Sequence, residues 1–240
     1  MNRTADAIIV GAGVIGSAVA FELAKRGYKT LNIDKLPTSG YGSTSNSCAI
    51  VRAHYSTWDG VAMAYEGFFY WDDWDNYIGV NDERGMIKYM KTGSIMFKLQ
   101  GEDHSSKSLK LFKEIGVEHE IWDLEKMKEM IPIYSHDQYD GTTRPDEDDH
   151  FWDKTGKKIE GAVYTPGSGY VSDPQLTSHN LQVAAEANGG EFLFNSEITE
   201  IKQQNGRVAG VTLKTGEQID SPIVVNVAGP HSFVINRMAD

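Results

Sequence analysis

Cysteine is almost absent from this chain of 240 residues, where Cys48 stands alone. A single thiol can form neither an internal disulfide nor a cysteine-built metal site, so no metal is expected and a reducing, cytoplasmic setting fits. Positive charge is also scarce. The 23 Lys and Arg are outnumbered by 34 Asp and Glu, for a formal net charge of -11. A surface of that sign repels nucleic acid and anionic lipid, which sets both aside as general partners. No apolar run reaches the roughly eighteen residues of a membrane span. What is present, 40% hydrophobic and 24% charged residues, suits a soluble globular protein of one large or two smaller domains.

The uncharged run from Ile8 to Phe21 lies behind Arg3 and contains Ala18, Val19 and Ala20, the outline of a secretory signal with its cleavage site. Its glycines say otherwise. Ala7 to Val10 reads as a short strand, Ile15 to Arg26 as a helix stopped by Gly27, and Thr30 to Ile33 as a second strand. That order is one parallel crossover unit. Gly11, Gly13 and Gly16 fit GxGxxG between strand and helix: the first makes the tight turn, the second admits a pyrophosphate, and the third lets the helix approach the strand. The pyrophosphate would lie at the helix start, where the N–H groups of Val14 and Ile15 and the helix dipole favour an anion. Asp34, with Lys35 beside it, arrives at the end of the second strand, where an acid accepts ribose hydroxyls and repels a 2′-phosphate. The motif alone leaves NAD and FAD open and disfavours NADP.

Farther along, the aromatic-rich stretch Trp58 to Tyr77 predicts a helix with Trp58, Ala62, Tyr65, Phe69 and Trp74 on a core face. Ser94 to Leu99 reads as a strand, Ser105 to Ile115 as a helix, and Asp123 to Met130 as a helix capped by Asp123. Ile133 to Glu160, with the acidic cluster DEDD from Asp146 to Asp149, lacks periodicity and reads as a surface excursion. Asp173 and Pro174 open a helix that ends at Gly189. Short strands follow at Glu191 to Phe194, Glu197 to Lys202, Arg207 to Leu213 and Ile223 to Val227, with a hairpin turn at Asn205 and Gly206. Cys48 reads as a small packing residue.

Four ordered segments carry a family resemblance: the opening glycine unit, GSTSNS, GYVSDPQLTSHNLQVAAEANGG and VVNVAGPHS. Together they resemble the D-amino-acid oxidase superfamily of FAD enzymes, to which sarcosine oxidase, glycine oxidase and dimethylglycine dehydrogenase belong. The resemblance covers both ends of the chain and, from Trp58 to Glu160, only the general layout. It implies an α/β fold. A Rossmann-like FAD-binding domain of the glutathione-reductase type would take residues 1 to 57 and 158 to 240, with an inserted α+β substrate or cap region at 58 to 157. It also implies that Gly42, Ser43, Thr44 and Ser45 wrap the flavin diphosphate and ring edge, that Ala228 and Gly229 close on the cofactor, and that the strand holding Ile198 meets the adenine through its backbone. The small hydroxyl side chains and the Ala-Gly-Pro strand end suit those tasks, and also suit an ordinary loop and a plain turn.

In VRAHYS, the resemblance places Arg52 at the position that holds the substrate carboxylate, a task suited to a guanidinium fork. His54 is the second candidate, to orient substrate or accept a proton, with a packed structural histidine as the alternative. Ser45 and Asn46 stand where some relatives carry a histidine bonded to the flavin, Ala49 replaces a basic residue of monomeric sarcosine oxidases, and His231 replaces a common tryptophan. The function so implied is FAD-dependent oxidation of a small amino or N-methyl amino acid. Hydride passes to the flavin, an imine is left to hydrolyse, and oxygen, a redox protein or a quinone takes the electrons. A non-catalytic FAD-binding subunit is the alternative, and an NAD-dependent dehydrogenase a third. Members of the superfamily run longer, so the chain is expected to be the N-terminal portion of a larger protein or one subunit of a split enzyme.

Overall fold

A computed structural model describes residues 3–101, 104–139, 146–147, 149 and 152–239. The acidic cluster falls partly outside these, at Asp148. Two compact units divide the chain: residues 1–49, 73–89 and 171–240 form one, and 50–72 with 90–170 the other. These limits differ from the expected 1 to 57 and 158 to 240. Residues 73–89 fall in the first unit, and residues 50–57 and 158–170 in the second.

In the first unit four strands lie parallel in the order Glu191–Leu193, Thr30–Ile33, Ala7–Val10 and Val224–Asn226. The two central strands are buried at every residue, as strands covered on both faces must be. Ile8, Val10, Leu31 and Ile33 point to one face, where they pack with Ile198, Ile201, Val211, Leu213 and Ile219. Those five belong to an antiparallel meander, Ile198–Gln204, Arg207–Leu213 and Gln218–Asp220. The helices Val14–Ala24 and Pro174–Ala187 pack on each other, and each buries small residues, Ser17, Ala20 and Ala24 on the first and Ala184 and Ala185 on the second. Asp173 accepts the Leu176 N–H at 2.9 Å and so caps the second helix, as its position before Pro174 predicts.

One buried side chain ties several points of residues 73–89 to this unit. Asn180, fully buried on the Pro174–Ala187 helix, accepts from Trp74 Nε1 at 3.1 Å and from the Ile87 N–H at 3.2 Å. Its amide donates to the Gly85 carbonyl at 2.9 Å and to Asp82 Oδ2 at 2.7 Å.

The second unit is an antiparallel sheet, Ser94–Leu99, Lys154–Thr165 and Glu120–Asp123 in that order, with helices Trp58–Asp72, His104–Ile115 and Leu124–Met130. Its core gathers Ala53, Val61, Phe68, Phe112, Val117 and Val163. Two expectations are corrected here. The Trp58–Asp72 helix buries Val61 and Phe68, seven apart on one stripe, and leaves Trp58 and Phe69 exposed at 51% and 62%. Trp74 is buried in a separate short helix of the first unit, Trp74–Ile78. The expected excursion up to Glu160 also gives way, to strands at Asp137–Tyr139 and from Lys154 onward. Lys154 to Lys158 is solvent-exposed and Lys154 and Lys158 pair with Asp137, so ion pairs replace the apolar alternation that marks a strand. Hydrogen bonds from those two lysines hold the Asp137 carboxyl at about 2.

Candidate functional site

The glycine turn is built as its spacing predicts. Gly11 has φ +109°, and a β-carbon there would lie 2.6 Å from the Val227 carbonyl oxygen. At Gly16 a β-carbon would lie 1.9 Å from the Gly11 oxygen. These two glycines are therefore demanded by the polypeptide itself. Gly13 differs: its backbone is extended at φ -71°, and the one neighbour of an added β-carbon is Thr44 Oγ1 at 3.1 Å. Nothing in the backbone requires glycine there, and its lack of a side chain leaves space beside the helix start.

The helix Val14–Ala24 has no side-chain N-cap on Gly13, and its first internal bond runs from the Ser17 N–H to the Gly13 carbonyl. Of the preceding N–H groups, Val14's goes to Thr44 Oγ1 at 3.1 Å, while Ile15 is 64% exposed. This helix start offers donors to an anion. Thr44 reaches it because Gly40 N–H bonds the Ala12 carbonyl at 2.8 Å and Ser45 N–H bonds Gly40. Thr44 keeps its own proton to donate. Ser45 does not, because its hydroxyl lies on the Tyr41 and Gly42 carbonyls at 3.1 and 3.0 Å, so it fastens the loop. Ser43 is exposed, as is Cys48, which corrects the reading of the cysteine as a packing residue.

Asp34 has a structural task that its spacing did not foretell. Its Oδ2 accepts the Ala12 N–H at 2.8 Å and its Oδ1 the Leu36 N–H at 2.9 Å, so it braces the glycine turn against the loop after its strand. Each oxygen keeps a lone pair for a ribose hydroxyl. Lys35 is exposed and near enough to Glu197 to help lower that carboxyl, behind the larger effect of Lys214. Ala228 and Gly229 follow the Val224–Asn226 strand at the Gly11 end of the sheet, Gly229 with φ +58°. Ile198 puts its side chain into the core. These features fit a dinucleotide: an anion-ready helix start, a glycine that leaves space, and an acid at the ribose end of the second strand.

The second unit holds Arg52 and His54. Arg52 is exposed and forms no hydrogen bond or ion pair among the described residues. Burial, and then the Arg52 charge, push the His54 imidazole down to about 4, which leaves it neutral in ordinary conditions. Its ring stacks at a tilt on Phe112, centroids 5.5 Å apart, and Nε2 lies 3.1 Å from Thr165 Oγ1. Sequence reasoning missed Thr165, Ser94 and Ser168 around it. Serine and threonine in loops and strand ends carry no signal of their own, and only the pairing of Ser94 with Thr165 brings them together. Among the described residues no three His, Cys, Asp or Glu side chains form a metal-binding cluster, and no helix is long and apolar enough to cross a membrane.

The profile of the DAO family, described as FAD dependent oxidoreductase, matches residues 6–240. Among relatives, the chain is 26% identical to a glycerol 3-phosphate dehydrogenase of Caloramator mitchellensis over 97% of its own length and 43% of that protein. It is 22% identical to a monomeric sarcosine oxidase of Bacillus sp. (strain NS-129) over 99% of its length and 55% of that protein. In structure it matches an L-proline dehydrogenase from P. horikoshii with a TM-score of 0.79, at 22% identity, over 100% of this chain and 56% of that one. The chain thus spans about half the length of the proteins it matches.

Proposed function

We propose a function from one premise: the chain belongs to the DAO family of FAD-dependent oxidoreductases. FAD is the cofactor that membership brings. The reading is that the whole protein oxidises a small amino or N-methyl amino acid, as an oxidase or a dehydrogenase. In this reading the helix start at Gly13 to Gly16 and the Thr44 hydroxyl hold the cofactor's diphosphate. Asp34 takes its ribose, and Gly42, Ser43, Ala228, Gly229 and the backbone near Ile198 lie along it. Bound FAD supplies the hydride acceptor. Arg52 binds the substrate carboxylate with its fork and His54 orients it. Oxygen, a redox protein or a quinone accepts the electrons, and further subunits are compatible with this scheme.

The observation that carries the reading is Arg52: an exposed guanidinium with no hydrogen-bond or ion-pair partner among the described residues, beside a neutral, half-buried histidine. A second reading, oxidation of a phosphorylated polyol, is favoured by the name of the Caloramator relative, since the same fork pairs phosphate. The test is anaerobic bleaching of the flavin in the whole protein by sarcosine, glycine, proline or glycerol 3-phosphate, repeated with Arg52→Lys. Bleaching by an amino acid, slowed roughly tenfold or more by Arg52→Lys and unchanged for the decarboxylated amine, is expected from loss of a bidentate charged contact. Bleaching by glycerol 3-phosphate alone would replace the first reading with the second. Bleaching by none would leave a non-catalytic FAD-binding subunit.

A further inference from the structure

Thr165 is fully buried and its hydroxyl oxygen is crowded. Ser168 Oγ lies at 2.8 Å, Ser94 Oγ at 2.9 Å and His54 Nε2 at 3.1 Å, with the Ser94 carbonyl farther away at 3.4 Å. A hydroxyl has one proton to give and two lone pairs to fill. Ser168 is also fully buried, and Thr165 Oγ1 is its side chain's one partner among the described residues, so its proton goes to Thr165. Ser94 is half-buried and has Thr165 as its one side-chain partner among the described residues, and with its proton on Thr165 the second lone pair is filled. The Thr165 proton then points at His54 Nε2. An imidazole that accepts at Nε2 and is neutral carries its proton on Nδ1. That nitrogen has no partner among the described residues and is not a buried orphan, so it opens to solvent.

We propose that Thr165, loaded by Ser94 and Ser168, is a positioning residue that fixes His54 with its proton on Nδ1. The imidazole is thereby a second hydrogen-bond donor beside Arg52 and not a base. The donor role toward a carboxylate rests on the functional reading above; the fixed tautomer does not. The neutral state of the ring agrees with it. With Nε2 occupied, the ring atom left for a ligand is an N–H, which suits a carboxylate oxygen and cannot take a proton from an amine.

Long-range proton–nitrogen spectra of the whole protein with ring-labelled histidine test both halves. Wild type should show a protonated Nδ1 and a bare Nε2 for His54. Thr165→Val, which keeps the shape and removes the hydroxyl, should release the ring to the Nε2–H form, and Thr165→Ser should restore the wild-type pattern. An Nε2–H signal in wild type, or a pattern unchanged in Thr165→Val, overturns the proposal. Acetate titration should move the Nδ1–H resonance, with affinity falling roughly tenfold in Thr165→Val, as for one charge-assisted hydrogen bond. The expected tautomer without any acetate response would overturn the donor role and the carboxylate reading beneath it, and leave the Thr165 contact standing.

Discussion

Each unit of this chain contains a half-buried histidine in a polar cluster, and the two clusters are finished differently. In the first unit His179 Nδ1 donates to Asp82 Oδ2 at 2.5 Å, Asn180 donates to the same oxygen, and the Arg84 N–H donates to Oδ1 at 2.9 Å. Burial raises the Asp82 carboxyl, but the bonds from His179, Arg84 and Asn180 outweigh it and hold the group below its ordinary value. Both Asn180 amide atoms are fully used. In the second unit the cluster has no carboxylate to balance it. It ends in an open Nδ1 on His54 and in Arg52, unpaired among the described residues. A closed network fixes backbone segments to each other, whereas an open one leaves its unused donors to a ligand.

The largest effect should come from breaking the closed cluster. Asn180→Leu keeps the volume but removes the acceptor shared by Trp74 Nε1 and the Ile87 N–H, and takes a donor from Asp82. At about 1–3 kcal/mol for each buried polar group left unpaired, a loss of roughly 4 kcal/mol is expected. Denaturant midpoints of the whole protein measure it. A loss under about 1 kcal/mol, the size of an ordinary surface change, would mean that residues 73–89 are held by packing and by hydrogen bonds other than those of Asn180.

A smaller effect separates the clusters by pH. Unfolded, His54 takes up its proton near 6.5; folded, it does so at about 4. Between those values the unfolded state binds more protons, so stability rises with pH, is whole above about 6.5, and falls as the pH drops toward 4. The full difference is about 3 kcal/mol. Asp82 works in a lower window, because a depressed carboxyl loses its contribution only as pH falls through its own reduced value. His54→Gln should flatten the upper window of a stability–pH curve and leave the lower one. An unchanged slope between pH 6.5 and 4 would show that the imidazole is not held neutral by its surroundings.

The glycine unit was legible because its causes are local. Gly11 and Gly16 answer to clashes within one strand–turn–helix, and the periodicities of 2 and 3.6 mark the elements on either side. Asp34 was found by spacing, but its bracing of Ala12 and Leu36 was not, since a carboxylate's partners depend on how two loops meet. The Trp58–Asp72 helix was found and its buried stripe missed, because aromatic content drew attention away from Val61 and Phe68. Neither histidine cluster could be read at all. Asp82 and Asn180 are 98 residues apart, and His54 and Thr165 are 111 apart, and no local pattern encodes a meeting at that range.

The smallest expected change in stability is the most discriminating. Arg52→Gln removes an exposed cation with no hydrogen-bond or ion-pair partner among the described residues, so the stability of the fold should stay within about 0.5 kcal/mol. The same substitution removes the second of the two causes that depress His54, leaving burial as the larger one. The imidazole should therefore titrate at a higher pH than in wild type and still below its ordinary value. Histidine resonances followed across pH, beside a denaturant midpoint, give both numbers from one variant. A residue that serves the fold would behave as Asn180 is expected to, with a large loss of stability. A residue that serves a ligand leaves stability alone, moves its neighbour's titration and weakens carboxylate binding. A midpoint shift worth 2 kcal/mol in Arg52→Gln would place Arg52 with the closed cluster and remove the contrast between the two.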